Sequence, residues 1–208
     1  MVAAPPVVNA PGGAEWGGGD PTAPMWASTP TRLQIPAIGV DTDLMPLGLT
    51  GEGALEVPPA GFPAGWYTGA PTPGELGPAV IIGHIDWNGP GVFFKLRTLT
   101  PGAEVAVTRE DGSVAMFAVT EVSEFGKADF PTELVYGGLD YAGLRLITCG
   151  GTFNRKTGHY EDNIVAFAAL VSSTPPTPVV APSAPVVTTA EPTPVAKVRW
   201  LLTGPRVV

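Results

Sequence analysis

The stretch LRLITCGGTFNRKTGHYEDNIVAFAAL, residues 144–170, decides how the rest of the chain is read. It opens with six residues that are apolar apart from Arg145 and Thr148, and these end on Cys149, the one cysteine of the chain. Gly150 and Gly151 then free the backbone to turn, a polar loop follows, and a second apolar run starts at Asn163. Short runs rich in β-branched residues, separated by glycine and polar turn formers, predict two strands joined by a loop. A thiol at the last position of a buried strand stands at a sheet edge. It is either packing material there or a reactive group held toward solvent.

The same pattern recurs outward from this stretch. PAVIIGH (78–84), AEVAVTR (103–109) and SVAMFAVTEV (113–122) are short, β-branched and bounded by turn formers. REDGS between the last two predicts a hairpin, because Asp-Gly supplies the positive φ of a tight turn. RLQIPAIGV and DLMPLGL suit strands interrupted by proline, at sheet edges. Helical periodicity is almost absent; VFFKLRTL and PTELVYGGL predict one or two turns each, the latter with proline near its start. Short strands with frequent turns point to an all-β closed barrel or sandwich.

Composition narrows the function. The 208 residues suffice for one domain plus tails, and 44% hydrophobic residues are enough for a core. Glycine (27) and proline (25) together approach the proportion that marks disorder, but they are unevenly spread. Residues 1–30 predict a disordered Pro/Gly-rich spacer, 172–196 a stiff Pro/Thr-rich linker, and 197–208 a short apolar and basic tail, leaving 31–171 as the folded domain. A net charge of −8 without a basic stripe argues against nucleic acid and anionic lipid as partners. No run of 18 apolar residues predicts a membrane span, and a lone cysteine forms no internal disulfide.

The chain has two histidines. His84 ends PAVIIGH as Cys149 ends its own run, whereas His159 lies in the polar loop NRKTGHYEDN and reads as solvated. Two strand ends 65 positions apart can meet at one rim of a barrel. There a thiol and an imidazole would form a nucleophile and its proton partner. The plainer alternative is a buried cysteine and a hydrogen-bonded structural histidine. Zinc is not expected, since neither group has metal-ligand spacing, and Glu52, Glu56 and Asp111 are too scattered for a calcium loop. No cofactor is expected.

Residues 144–170, together with AVIIGHIDWNGPGVFFKL and RLQIPAIGVDTDLMPLGL, resemble three segments of the sortases in the family's order: the Thr-Cys strand, the Gly-His strand and the opening Ile-Pro strands. Thr-Cys-Gly-Gly with His-Ile-Asp-Trp looks most like the class F group of actinobacteria. The resemblance covers about residues 31–171. It implies a closed β-barrel of about eight strands with one or two short helices. It also implies a cysteine transpeptidase that cleaves a Leu-Pro-x-Thr-Gly-type sorting signal between Thr and Gly through a thioacyl enzyme. The acyl group would pass to an amine of a cell-wall precursor or another protein, outside the cytoplasm, with the enzyme acting as a monomer.

In that reading Cys149 is the nucleophile and His84 the acid and base. The family also uses an arginine near the position held here by Asn163. Arg155, in the loop leaving Cys149, is the favoured substitute, with Arg97 and Arg145 as alternatives. Thr148 is expected to position the nucleophile or touch substrate, and Asp86 to orient the imidazole. The connection 124–143 is expected to form a wall of the peptide site. Two rivals stand beside this reading. An L,D-type cell-wall transpeptidase would resemble a Ser-His-Gly-Cys pattern, which is missing here. A noncatalytic β-domain binding a wall component or partner would keep Cys149 buried. LLTGP (201–205) loosely echoes a sorting peptide but lacks the proline after leucine.

Overall fold

The computed structural model describes residues 20–176. The linker from 177 onward, the C-terminal tail and the first 19 residues of the expected spacer lie outside them. Eight strands form a closed barrel: β1 (Pro30–Ile35), β2 (Val40–Leu47), β3 (Ala64–Tyr67), β4 (Gly77–Ile82), β5 (Glu104–Arg109), β6 (Val114–Gly126), β7 (Ala142–Asn154) and β8 (His159–Thr174). The order around the wall is β1-β2-β3-β4-β7-β8-β6-β5. The closed all-β architecture expected from the sequence is therefore the one observed. Closure leaves no open sheet edge for another chain to pair with.

Most neighbours are antiparallel, but β2 runs parallel to β3 and β4 parallel to β7. The second of these pairings builds the site. It begins with Gly77 against Ala142 and ends with Ile82 against Ile147, so both strands reach the same rim in step. Every residue of β4, and Ala142–Thr148 of β7, is buried. This is why both read as continuous apolar runs: strands covered on both faces lose the inside/outside alternation.

The two faces belong to different layers. Ile81, Leu144, Leu146, Phe117 and Phe93 point into the barrel. Val80, Ile82, Ile147, Val165 and Phe167 point outward, under a cover that includes Phe125, Phe130 and Val135. The cover is formed by the end of β6 and the β6–β7 connection, which carries the one α-helix of the described residues, α1 (Thr132–Tyr136). Gly137, just past α1, donates to the Glu133 carbonyl at 2.9 Å and closes the last turn.

The end of the expected spacer is folded. Met25 is buried in the barrel core, its amide bonded to the Gly74 carbonyl at 2.7 Å, and the Ser28 amide donates to Thr72 Oγ1 at 3.1 Å. The buried Met25 side chain and these bonds together tether a segment that composition alone reads as loose. At the other end, β8 runs to Thr174, and the Val114 amide donates to the Thr174 hydroxyl at 3.0 Å.

Candidate active site

Cys149 is half-buried within β7, two residues past the last one paired with β4, and β7 runs on beside β8 to Asn154. The Gly83 amide donates to the Ile147 carbonyl at 3.1 Å, which continues the ladder past the last residue of β4. His84 comes two residues after Ile82 and Cys149 two after Ile147, so this parallel pairing brings the two segments to the same rim. Alternation from Ile82 and Ile147 puts both side chains on the outer face. On the other flank Cys149 is paired with Asn163 of β8, and Asn163 with Phe125 of β6. Three strands thus contribute one row, Phe125, Asn163 and Cys149, and His84 follows two residues after the end of β4.

His84 and Cys149 line one cleft of about 610 Å³, along with Asp86, Trp87, Lys127, Tyr160 and Asn163. The His84 ring is held from two sides. Its Nε2 lies 2.7 Å from the Pro58 carbonyl, and the Trp87 ring packs at 4.9 Å between centroids. A carbonyl oxygen only accepts, so Nε2 carries the hydrogen and Nδ1 is the nitrogen left to exchange protons in the cleft. Gly91 lets this wall close in: a Cβ there would stand 2.4 Å from the His84 carbonyl oxygen.

Asp86 does not orient the imidazole by a hydrogen bond. Its carboxylate accepts from the Tyr160 hydroxyl, joining the segment after β4 to the start of β8. That bond, then burial, then the charges of Asp86 and Cys149, raise the Tyr160 phenol above its ordinary value. Thr148 belongs to the cleft wall, but it is buried and its hydroxyl has no partner among the described residues. Alternation turns its side chain toward the barrel interior with Leu146.

None of the three arginines weighed from the sequence lines the cleft. Arg155 is exposed in the turn between β7 and β8. Arg97 is bound to Glu124 at 2.5 Å. Arg145 shares the outer face with Cys149 but is buried four residues down the strand, its guanidinium 4.7 Å from the centre of the Phe167 ring. Among the described residues the cation that reaches the thiol is Lys127, whose Nζ donates to Cys149 Sγ at 3.5 Å. Sequence reading passed over it because it lies 22 positions before Cys149, in a polar turn after β6. His159, read from the sequence as merely solvated, is exposed yet also lines the cleft.

A larger groove of about 730 Å³ adjoins the cleft, with Leu55 and Tyr136 lining both. Its walls are apolar, including Leu49, Leu76, Val80 and Leu139. Tyr136, Gly138 and Leu139 come from the β6–β7 connection, as does Lys127 in the cleft, so residues of this connection line both cavities.

A closed β-barrel with a thiol and an imidazole lining one cleft, beside an apolar groove, has the layout of a cysteine acyl-transfer enzyme. The chain matches the family model described as the sortase domain over residues 33–171, and it belongs to the sortase family of cysteine transpeptidases. Solved structures show the same fold. Sortase A of Listeria monocytogenes is 16% identical, with 73% of this chain and 92% of that one covered at a TM-score of 0.55. Streptococcus agalactiae sortase C1, solved as a complex with MTSET, is 18% identical over 70% of each chain, also at 0.55. The Clostridium perfringens sortase D5 transpeptidase is 23% identical, with 69% and 79% covered and a TM-score of 0.51. No curated protein matches the chain. Membership in the family decides against the noncatalytic binding domain.

Proposed function

We propose that the protein cleaves a Leu-Pro-x-Thr-Gly-type sorting signal between Thr and Gly and joins the new acyl end to an amine of the cell wall or of another protein. It would act outside the cytoplasm, in the manner of the class F sortases that its Thr-Cys-Gly-Gly and His-Ile-Asp-Trp segments resemble. The supporting observation is that His84 and Cys149 line one cleft, beside the paired strands β4 and β7.

In this reading the Cys149 thiol gives its proton to His84 and the sulfur attacks the Thr carbonyl carbon. The carbonyl π electrons move to oxygen, and when they return the C–N bond breaks. His84 protonates the departing glycine amine, leaving a thioester on Cys149. An incoming amine then attacks the thioester, loses its proton to His84 and expels the sulfur. The apolar groove beside the cleft suits the leucine and proline upstream of the scissile bond, because an extended peptide advances about 3.3 Å per residue. Asp86 and Tyr160 would close one side of the cleft, and Thr148 would hold the strand end from inside.

The test is incubation with fluorescent Leu-x-x-Thr-Gly peptides and a glycine-type amine, followed by mass spectrometry. We expect a product ending in Thr joined to the amine, and an adduct on Cys149 when the amine is omitted. Transfer that persists in Cys149→Ala, or no cleavage of any such peptide by the intact protein, overturns the proposal.

A further inference from the structure

We infer that Lys127 is a catalytic residue of this acyl transfer, its ammonium stabilising negative charge first on the Cys149 sulfur and then on the oxygen of the tetrahedral intermediate. The inference rests on the reading of Cys149 as nucleophile. It assigns to a lysine of the β6–β7 connection the work that the sortase resemblance gives to an arginine beside the cysteine.

Three observations carry it. Lys127 Nζ donates to Cys149 Sγ at 3.5 Å, across the β8 strand that separates β6 from β7. Lys127 directly follows β6, two residues after Phe125, whose partner Asn163 is itself paired with Cys149. Second, Lys127 is the one lysine or arginine lining the cleft among the described residues, and it makes no ion pair there with an acidic side chain. Third, the arginines among the described residues are placed elsewhere. Arg97 is held by Glu124, Arg32 by Asp41, Arg109 and Arg145 are buried, and Arg155 is exposed in its turn. The register position directly opposite Cys149 holds neutral Asn163.

The chemistry fits a lysine. Before attack, the negative charge sits on sulfur within reach of the ammonium. As the C–S bond forms, the charge moves to an oxygen two bonds from that sulfur. A lysine head carries three donors on a flexible stem and can follow this short displacement without a second group. Lys127 keeps its proton throughout, so the proton balance between thiol, His84 and leaving amine is unchanged. Nζ is near enough to the sulfur to meet the new oxyanion at hydrogen-bond distance.

The test pairs kinetics with alkylation of Cys149. Iodoacetate is anionic and iodoacetamide neutral, so the ratio of their rates reports the positive charge felt at the sulfur. Lys127→Met should lower kcat by about tenfold to a hundredfold, because the site is open to water and the loss of one oxyanion donor costs about a hundredfold to a thousandfold in closed sites. It should also lower the iodoacetate-to-iodoacetamide ratio, whereas Lys127→Arg, which keeps the charge, should preserve that ratio. Arg155→Ala should leave kcat within about threefold of the parent. The inference is overturned if Lys127→Met leaves kcat within about threefold, or if kcat falls while the alkylation ratio stays at the parent value. Should the parent protein cleave no sorting peptide, the transpeptidation reading itself fails. The alkylation ratio, which needs no peptide, then still decides whether Lys127 acts on the sulfur.

Discussion

At the rim of the cleft, Asp86 turns away from the imidazole two residues before it and takes the Tyr160 hydroxyl instead. His84 is held by the Pro58 carbonyl and needs no carboxylate to fix its ring. The Asp86 bond favours the neutral phenol, so the raised Tyr160 titration has a definite sign. The tie is intact below the ordinary tyrosine value of about 10 and is lost as the pH rises through the higher value of the folded protein. An ultraviolet difference titration of parent against Tyr160→Phe should show this phenol ionising above the ordinary range. Asp86→Asn should bring it back down, and an unshifted Tyr160 in the parent would refute the tie. At this scale the sequence told much about Cys149 and His84, because each follows directly on an apolar run. It told nothing about Lys127, whose approach to the sulfur depends on how β6, β8 and β7 lie side by side.

Among the elements, the β5–β6 hairpin shows a turn whose chemistry was legible in advance. Gly112 has φ +79°, and the Arg109 amide donates to the Ser113 carbonyl at 2.9 Å. Asp111 accepts from both the hydroxyl and the amide of Ser113. Its partial burial works against ionisation, but these bonds and the nearby Arg109 charge prevail and lower its titration. A lowered carboxylate contributes stability above its unfolded value of about 3.9 and loses that contribution as pH falls through the folded value. We expect Asp111→Ala to cost about 0.5–1 kcal/mol at neutral pH in denaturant melts, since the group is mostly solvated. The gap to the parent should close below about pH 4; a gap that widens in acid would contradict this. By contrast, β3 escaped the sequence reading. Ala64–Tyr67 is four residues long, contains glycine and follows proline, so it shows no alternation to detect. Its strand character comes from its partners, β2 and β4.

For the whole molecule, the barrel wall at β4, β7 and β8 is packed on both faces, and Arg145 is buried in the outer of the two layers. Its Nε has no hydrogen-bond partner among the described residues, and its guanidinium rests on Phe167. A charge held away from water without a counter-ion is expensive, so Arg145→Met should leave stability unchanged or raise it by about 1–2 kcal/mol. Activity should persist, because four residues of strand separate this side chain from Cys149 by roughly 13 Å. A loss of several kcal/mol in a urea melt would show that the stacking outweighs desolvation. Membership of the strands was readable from their apolar runs, but their order was not. Nothing local in PAVIIGH or LRLITC says that these two lie side by side and parallel.

That parallel pairing also sets when the protein can first act. While the chain is being synthesised, His84 emerges long before its chemical partner, and β4 waits about 60 residues for the strand that completes its second edge. Long loops of this kind close late, and β7 in turn needs β8 along its other side. A nascent or prematurely terminated polypeptide therefore carries an imidazole with no sulfur beside it. If His84 and Cys149 act together as proposed, acyl transfer waits for β7 and for the β8 strand beside it.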